Sequence, residues 1–410
     1  MQTFLSDPVT AITIWLQTLL FSWGIPAVWV QLIMIIIGSL IVCAGAMFFV
    51  LFLIWYERKV IGRVQDRFGP NRLGPFGIFQ TIADMLKIFT KEHITPLGAD
   101  KIPYNLAPVL IMGAVLMMWA VIPLSKTTVG ADLDVGILYL VAIGGLGELG
   151  VIMAGWGSNN KYSMLAAFRA LAVLISYEVP MVLTMLIPVM LSGSMSLNGI
   201  IAAQNVWYIA AAPLAAAIFF ISQIAEVGRA PFDVTEAESE LVAGYNTEYS
   251  GLKFGMFYVA DFLHAFTAAL VFAVLFLGGW RGPGAEQIPI VGFFYLFLKT
   301  MLVHFVGVLI RASVPRFRVD QMMALNWKFF TPVSVMLVIL ISLVDKAAAL
   351  SQEIWRSLLI FAVNGVVFLV SFRLLDIFTT RKERPSVVTR QLPVAVGAPQ
   401  RRNPESGVSS

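Results

Sequence analysis

Long apolar segments dominate the sequence and restrict the folds that it can adopt. A helix needs about 20 mostly apolar residues to cross the hydrocarbon core of a bilayer. The sequence predicts nine such spans: Val28–Trp55, Tyr104–Leu124, Gly136–Trp156, Met164–Leu191, Val206–Ala225, Phe254–Leu277, Val291–Ile310, Lys328–Val344 and Ile354–Leu375. Hydrophobic residues make up 59% of the chain and charged residues only 13%. An all-α integral membrane protein is therefore predicted, and a soluble enzyme, a disordered scaffold and a secreted disulfide module are excluded.

Basic residues are distributed unevenly between the loops that connect these spans. With the N-terminus outside, all but five of the 28 Lys and Arg residues lie on or beside the inside segments. The five on the outside are Lys126, Arg281, Lys299, Lys346 and Arg356. By the positive-inside rule, the N-terminus is predicted to lie outside and the C-terminus in the cytoplasm.

One membrane domain is predicted between two terminal segments. Residues 1–27 contain no Lys or Arg, so they do not resemble a cleavable signal peptide and are predicted to lie along the outer surface. Residues 28–376 are predicted to form a single transmembrane helical domain. Residues 377–410 are polar and contain four prolines, which predicts a disordered cytoplasmic tail.

Residues that could bind a redox group are scarce. The single cysteine, Cys43, cannot supply the four ligands of an iron–sulfur cluster. His264 and His304 are a conceivable haem pair, but isolated intramembrane histidines more often hydrogen-bond between helices. We therefore predict no catalytic residue, metal site or redox centre in this chain, and we expect any electron transfer to occur on other subunits.

The first long inside loop begins at Glu57 and contains a predicted amphipathic helix over residues 76–91. Gln80, Asp84, Lys87 and Lys91 recur at steps of four, three and four, on one face of that helix. Such a helix is typical of the membrane interface, where it could simply anchor the chain to lipid headgroups. Asp84 favours another role, because a basic anchor needs no acid in its polar stripe. A docked protein or a polar ligand would use both signs of charge.

The second long inside loop, residues 226–249, is unusually acidic for the positive-inside face. Its six carboxylates are Glu226, Asp233, Glu236, Glu238, Glu240 and Glu248. Helix capping could use the pair Thr235 and Glu238 or the pair Asp233 and Glu236, but it cannot account for all six. Carboxylates that lie close together in a poorly hydrated site raise one another's pKa. The loop therefore predicts a proton path.

Three acids fall within the predicted spans, Glu148, Glu178 and Asp261, and His264 lies three residues after Asp261. Such residues are candidates for function because burying them in a bilayer is unfavourable. Glu178 precedes Pro180, and a proline removes a hydrogen bond from the helix around it. Asp261 and His264 share a helix face, where they could form either a static polar pair or a proton relay.

The two inside loops resemble the signature sequences of one membrane subunit, the one that lines the quinone chamber, of respiratory complex I, the NADH:quinone oxidoreductase. The first resemblance extends from Glu57-Arg58-Lys59 through Gly69-Pro70-Asn71-Arg72 to Ala83-Asp84-Met85-Leu86-Lys87. The second covers residues 226–251, and a third joins Ala154-Gly155-Trp156 to Ser176-Tyr177-Glu178-Val179-Pro180. The resemblance extends over most of residues 28–345. One departure lies in the sixth span, where the family usually has Glu-Tyr and this chain has Asp261-Phe262.

The resemblance implies roles for particular residues. It implies that Arg58, Asp84, Lys87 and Phe232 line the quinone entrance. It implies a proton path through Glu178, Glu226, Asp233, Glu236, Glu238, Glu240, Glu248 and Asp261. It further implies that iron–sulfur clusters and flavin reside on soluble partner subunits, and that small membrane subunits and antiporter-like pumps lie beside this chain.

The sequence therefore predicts a membrane subunit that lines the quinone chamber and couples reduction of ubiquinone or menaquinone to proton translocation. The length and the ninth span favour a bacterial plasma membrane over a mitochondrial inner membrane. One alternative is the anchor subunit of a related membrane-bound hydrogenase or other oxidoreductase. Another is a stand-alone proton-coupled transporter, which the lack of a visible inverted repeat disfavours.

Overall fold

The computed structural model describes residues 8–233, 243–347 and 353–382. Its described part is helical and contains no strand. The helices are α1 (Pro8–Ser22), α2 (Ala27–Val64), α3 (Gln80–Thr90), α4 (Lys101–Trp119), α5 (Gly136–Gly157), α6 (Lys161–Ser192), α7 (Leu197–Ala203), α8 (Tyr208–Ala211), α9 (Pro213–Glu226), α10 (Gly251–Phe276), α11 (Pro289–Ser313), α12 (Val319–Ala347) and α13 (Glu353–Lys382). The predicted all-α membrane fold is confirmed. The helical fold suits a lipid bilayer, because its core offers no water and backbone groups there must hydrogen-bond within their own helix.

Eight described helices are long and apolar enough to cross a membrane: α2, α4, α5, α6, α10, α11, α12 and α13. The predicted fifth span, Val206–Ala225, differs from the structure. It is divided into the four residues of α8 and the 14 residues of α9, with Pro213 at the start of α9. Proline has no N–H to continue a helix that precedes it. At 1.5 Å per residue α9 is about 21 Å long, which is short of a bilayer core of about 30 Å.

Helix α2 is longer than the predicted first span. It continues past Trp55 to Val64 and has 38 residues, which corresponds to about 57 Å. The added turns contain Glu57, Arg58 and Arg63. The change from apolar to charged residues therefore marks a change of surroundings and not the end of the helix.

The amphipathic helix begins later than the pattern predicts. Phe76 and Gly77 have φ values of 56° and 75°, in the left-handed region, and α3 begins only at Gln80. A Cβ at Gly77 would lie 2.3 Å from the Pro70 carbonyl oxygen, so this turn leaves no room for a side chain there. Asp84 and Lys87 both lie on α3.

The main buried core is formed largely by α4, α5, α6, α7, α9, α10, α11 and α12, and its largest buried side chains include Tyr177, Phe219 and Phe276. Helix α10 is the most enclosed of the eight spans, with 78% of its apolar window buried. By internal contacts the chain divides into two units, Met1–Phe368 and Leu369–Ser410. The site described below lies entirely within the first. Of the predicted segments 1–27 and 377–410, residues 1–7 and 383–410 lie outside the described residues.

Candidate functional site

An ionic cluster connects three of the spans at Arg229, which follows α9. Arg229 Nη1 donates to Glu57 Oε2 on α2 at 2.5 Å, and its Nη2 donates to Asp261 Oδ2 on α10 at 3.2 Å. Arg311 on α11 donates to the other oxygen of Glu57. We call Glu57, Arg229, Asp261 and Arg311 the Arg229 cluster. It has equal numbers of positive and negative charges.

Burial makes the charges of this cluster dependent on one another. The side chain of Glu57 is 3% exposed and that of Arg229 is 10% exposed. Burial lowers the pKa of the Arg229 guanidinium, but the Asp261 and Glu57 carboxylates raise it, and the net pKa shift is upward. Arg229 therefore remains positive, and its guanidinium also lies 4.6 Å from the centre of the Phe262 ring.

Three of the four cluster residues, Glu57, Arg229 and Arg311, are not among the site residues that the sequence predicts. They lie where the apolar segments meet the polar loops, and sequence reasoning assigns such positions to the positive-inside pattern. The sequence feature that could have revealed this cluster is Glu57 in Glu57-Arg58-Lys59, because an acid at the basic end of a span needs a positive partner. Asp261, which the sequence does predict, pairs with Arg229, and it lines one cavity together with His264.

The residues predicted at the quinone entrance are only partly brought together. Arg58 Nη1 donates to Asp84 Oδ2 at 2.6 Å, which joins α2 to α3, and the two side chains are 39% and 28% exposed. Lys87 is exposed one turn further along α3. Phe232 is buried in the core, with its ring 5.3 Å from Tyr177, so it is not part of the exposed pair.

A second site is a cavity of about 90 Å³ between α4, α5, α9 and α10. Three acids and one histidine line it: Glu148, Glu226, Asp261 and His264. We call it the carboxylate cavity. A Cβ at Gly144, which also lines it, would lie 3.6 Å from Glu226 Oε1, so the small residue keeps space beside this acid. The volume and the polar lining suit bound water.

The remaining predicted acids occupy different surroundings. Glu178 on α6 lies within electrostatic range of Glu148 and Glu226. Glu248 Oε1 accepts a hydrogen bond from Asn160 Nδ2 at 2.6 Å, so this acid joins two loops. Asp233 is the last described residue before the gap at 234–242 in the acidic loop. Glu236, Glu238 and Glu240 lie outside the described residues, within 234–242.

A contact between helices fixes the backbone next to Glu178. Because Pro180 has no N–H, the carbonyl of Ser176 loses its usual donor in α6. Asn326 Nδ2 on α12 donates to that carbonyl at 2.5 Å, and Asn326 is fully buried. Tyr177 Oη donates to the Met322 carbonyl at 3.0 Å. The π-helical segment Asn326–Phe330 lies at this contact, and such segments are frequent at functional sites.

The fold and these sites define a multi-pass helical membrane protein with an ionic cluster and a carboxylate cavity among its spans. Among the described residues, no group of three or more His, Cys, Asp and Glu side chains could hold a metal ion. The family profile described as NADH dehydrogenase matches residues 37–342, and the chain belongs to that family.

Individual relatives agree with the family match. A protein of Dehalococcoides mccartyi (strain CBDB1) is 46% identical over 286 residues, which is 70% of this chain and 80% of the relative. One of Carboxydothermus hydrogenoformans is 47% identical over 287 residues, covering 70% and 81%. One of Brevibacillus brevis is 43% identical over 326 residues, covering 79% and 95%. All three are named as the same subunit, designated H, of NADH-quinone oxidoreductase, and the resemblance expected from the sequence is confirmed.

Proposed function

We propose that the chain is the membrane subunit of a proton-pumping NADH:quinone oxidoreductase that forms the quinone entrance and couples quinone reduction to proton movement. One observation carries the coupling. Glu57 and Arg58 are consecutive residues of α2, yet Glu57 is the buried acid of the Arg229 cluster and Arg58 belongs to the partly exposed pair with Asp84. In this proposal, a change of charge at the partly exposed pair is passed to the Arg229 cluster through these two adjacent residues.

The exposed pair suits the entrance for a quinone. The Arg58 guanidinium and the Asp84 carboxylate supply a donor and an acceptor to a polar headgroup, and Gln80 Nε2 contacts Asp84 Oδ1 at 3.5 Å. Lys87 adds a positive charge on the same helix. In this proposal Phe232 acts from the core, where it supports the packing around Tyr177.

The proton path proposed here begins at the Arg229 cluster. Asp261 belongs to this cluster and also lines the carboxylate cavity, so it joins the two. From there the path includes Glu226, Glu178 and the loop acids Asp233, Glu236, Glu238, Glu240 and Glu248. Carboxylates that interact strongly titrate as a group and not one by one, so the proposal assigns no order of protonation along the path.

The proposal includes partners and a location. The redox groups, flavin and iron–sulfur clusters, are assigned to soluble subunits on the cytoplasmic side, and the pumps to antiporter-like membrane subunits. Ubiquinone or menaquinone is the substrate. The location is a bacterial plasma membrane with the N-terminus outside, residues 1–27 along the outer surface and residues 377–410 as a cytoplasmic tail. The bacterial relatives and the positive-inside pattern support this.

Purification of the tagged chain from its native membranes tests the proposal. We expect a large assembly with iron–sulfur subunits and inhibitor-sensitive NADH:quinone activity. An assembly with hydrogenase subunits would instead indicate the related anchor function. If the chain were isolated alone under conditions that preserve other large complexes, the transporter function would replace the proposal.

The variant Glu178→Gln tests the proton path. It keeps the size of the side chain and removes its titration, so we expect normal assembly with quinone-linked turnover reduced on the order of tenfold or more. Glu286→Gln, which changes an exposed acid of the loop between α10 and α11, is the matched control. Full proton pumping by the Glu178→Gln complex would remove Glu178 from the path.

A further inference from the structure

A second cavity lies beside Arg229, between α9, α10 and α11, with a volume of about 50 Å³. Most of its lining is apolar or small and includes Ala268 and Gly307. Three polar side chains interrupt this lining: Gln223, Arg229 and His304. We call this space the Arg229 cavity. Neither Gln223 nor His304 has a role in the function proposed above.

Each of the three polar side chains has one buried atom that lacks a partner. Gln223 Oε1, Arg229 Nε and His304 Nε2 have no hydrogen-bond partner among the residues that the structure describes. Gln223 and His304 are only 5% and 4% exposed. A buried polar atom without a hydrogen bond costs about 1–3 kcal/mol of stability, so three around one cavity indicate a ligand that supplies the missing partners.

The chemistry of the three atoms identifies the class of ligand. Arg229 Nε donates and Gln223 Oε1 accepts. His304 hydrogen-bonds the backbone of Ala265, which leaves Nε2 of the neutral ring as an acceptor. The Arg229 guanidinium disfavours a cation, and the two acceptors disfavour an anion. Water both donates and accepts, and at roughly 10–15 Å³ each about three to five molecules fill a volume of about 50 Å³.

The Arg229 cavity lies next to the carboxylate cavity. Val227 lines both cavities. Arg229 lines the Arg229 cavity, Asp261 lines the carboxylate cavity, and these two residues form an ion pair at 3.2 Å. We infer that the Arg229 cavity is a water site whose water extends the polar path from the carboxylate cavity, past this ion pair, to His304. This inference rests on the proposed function for its role in proton movement, but the binding of water does not depend on that role.

Cryo-electron microscopy of the intact purified complex, at a resolution that shows ordered water, tests the inference. We expect density within hydrogen-bonding distance of Gln223 Oε1, Arg229 Nε and His304 Nε2. The variant Gly307→Leu should abolish this density, because a Cβ at Gly307 meets no atom within 4 Å and a longer side chain can fill the space. The matched control is Gly38→Leu, whose Cβ also meets nothing within 4 Å but whose position on α2 is exposed. Density should persist in that control.

The outcomes separate this inference from the proposed function. If the wild-type cavity holds no density, or holds only a protein side chain, the water site is wrong even in a fully active complex. If water density is present and Gly307→Leu abolishes it, the site is supported. NADH:quinone turnover of the same wild-type sample tests the proposed function by itself. If Gly307→Leu does not assemble, the smaller variant Gly307→Ala should still reduce the number of ordered waters, and an unchanged number would contradict the inference.

Discussion

Two basic side chains among the spans, Lys299 and Arg229, find their hydrogen-bond acceptors in different ways. Lys299 Nζ on α11 donates to the carbonyls of Leu277, Gly279 and Arg281 at 2.8, 2.9 and 2.8 Å. These carbonyls belong to the segment that follows α10, where a helix leaves acceptors without donors. Arg229 instead binds the carboxylates of Glu57 and Asp261. The lysine therefore donates to backbone, and the arginine donates to acids.

The acceptors of Lys299 and those of Arg229 differ in whether they can change their protonation state. Backbone carbonyls have no second protonation state, so the Lys299 contacts hold the end of α10 in one position. The partners of Arg229 can be protonated, Asp261 lines the carboxylate cavity and Arg229 itself lines the Arg229 cavity, so this cluster has alternative charge states and room for water. We therefore expect Lys299 to support stability alone, and the Arg229 cluster to support both stability and turnover.

The largest effect is expected for Arg229→Leu. Removing the guanidinium leaves the buried Glu57 and the partly exposed Asp261 without this partner, and breaking a buried pair costs about 3–5 kcal/mol. Assembly of the complex should be lost or strongly reduced, as measured by the yield of intact complex in mild detergent. Arg229→Lys is the control and should have an intermediate effect, because Lys cannot reach both carboxylates with a planar fork. Normal yield and turnover of the Arg229→Leu complex would show that the Arg229 cluster is needed for neither assembly nor turnover.

A smaller effect is expected for Lys299→Met. The variant removes the donor for three carbonyls and should cost about 2 kcal/mol, because water can replace only part of the lost hydrogen bonding. The temperature of thermal inactivation should fall, while turnover per assembled complex stays unchanged. Lys126→Met, at an exposed position, should change neither quantity. Reduced turnover of a stably assembled Lys299→Met complex would show that Lys299, like Arg229, supports turnover as well as stability.

Asn326→Leu tests the contact beside Glu178. The Ser176 carbonyl would lose its donor in a fully buried position, at a cost of about 1–3 kcal/mol. Because the contact fixes the backbone next to Glu178, turnover should fall together with thermal stability. Asn105→Leu is the control, since Asn105 is exposed and donates only within α4, to the Lys101 carbonyl. Equal effects of the two variants would show that the Asn326 contact has no special role.

The smallest effect on stability is expected for Asp84→Ala. A partly exposed ion pair contributes about 0–1 kcal/mol, so assembly should be normal. Quinone kinetics should change nonetheless, with a higher apparent KM for quinone or a lower turnover. Glu92→Ala, an exposed acid beyond the end of α3, should leave the kinetics unchanged. Unchanged quinone kinetics in Asp84→Ala would argue against the proposed entrance.

The predicted site residues differ in how far the sequence could place them. Arg58 and Asp84 are 26 residues apart, on two helices that one loop connects. That short connection is enough to suggest from the sequence that the two side chains form an ion pair. The sequence predicts that Asp261 faces His264, because both lie on one helix face, but a residue distant in sequence, Arg229, is its ion-pair partner. Helical periodicity identifies which residues share a face and does not identify what packs against that face.

The sequence by itself determined the class of protein and the approximate position of most spans. A bilayer core requires long apolar helices, and that requirement is readable from composition along the chain. Only the tertiary structure decided the pairing of Arg229 with Glu57, 172 residues apart, the contact of Asn326 with Ser176, 150 residues apart, and the two cavities. Those contacts depend on which helices become neighbours and at what depth, and that is set by packing between spans and not by the pattern within any one of them.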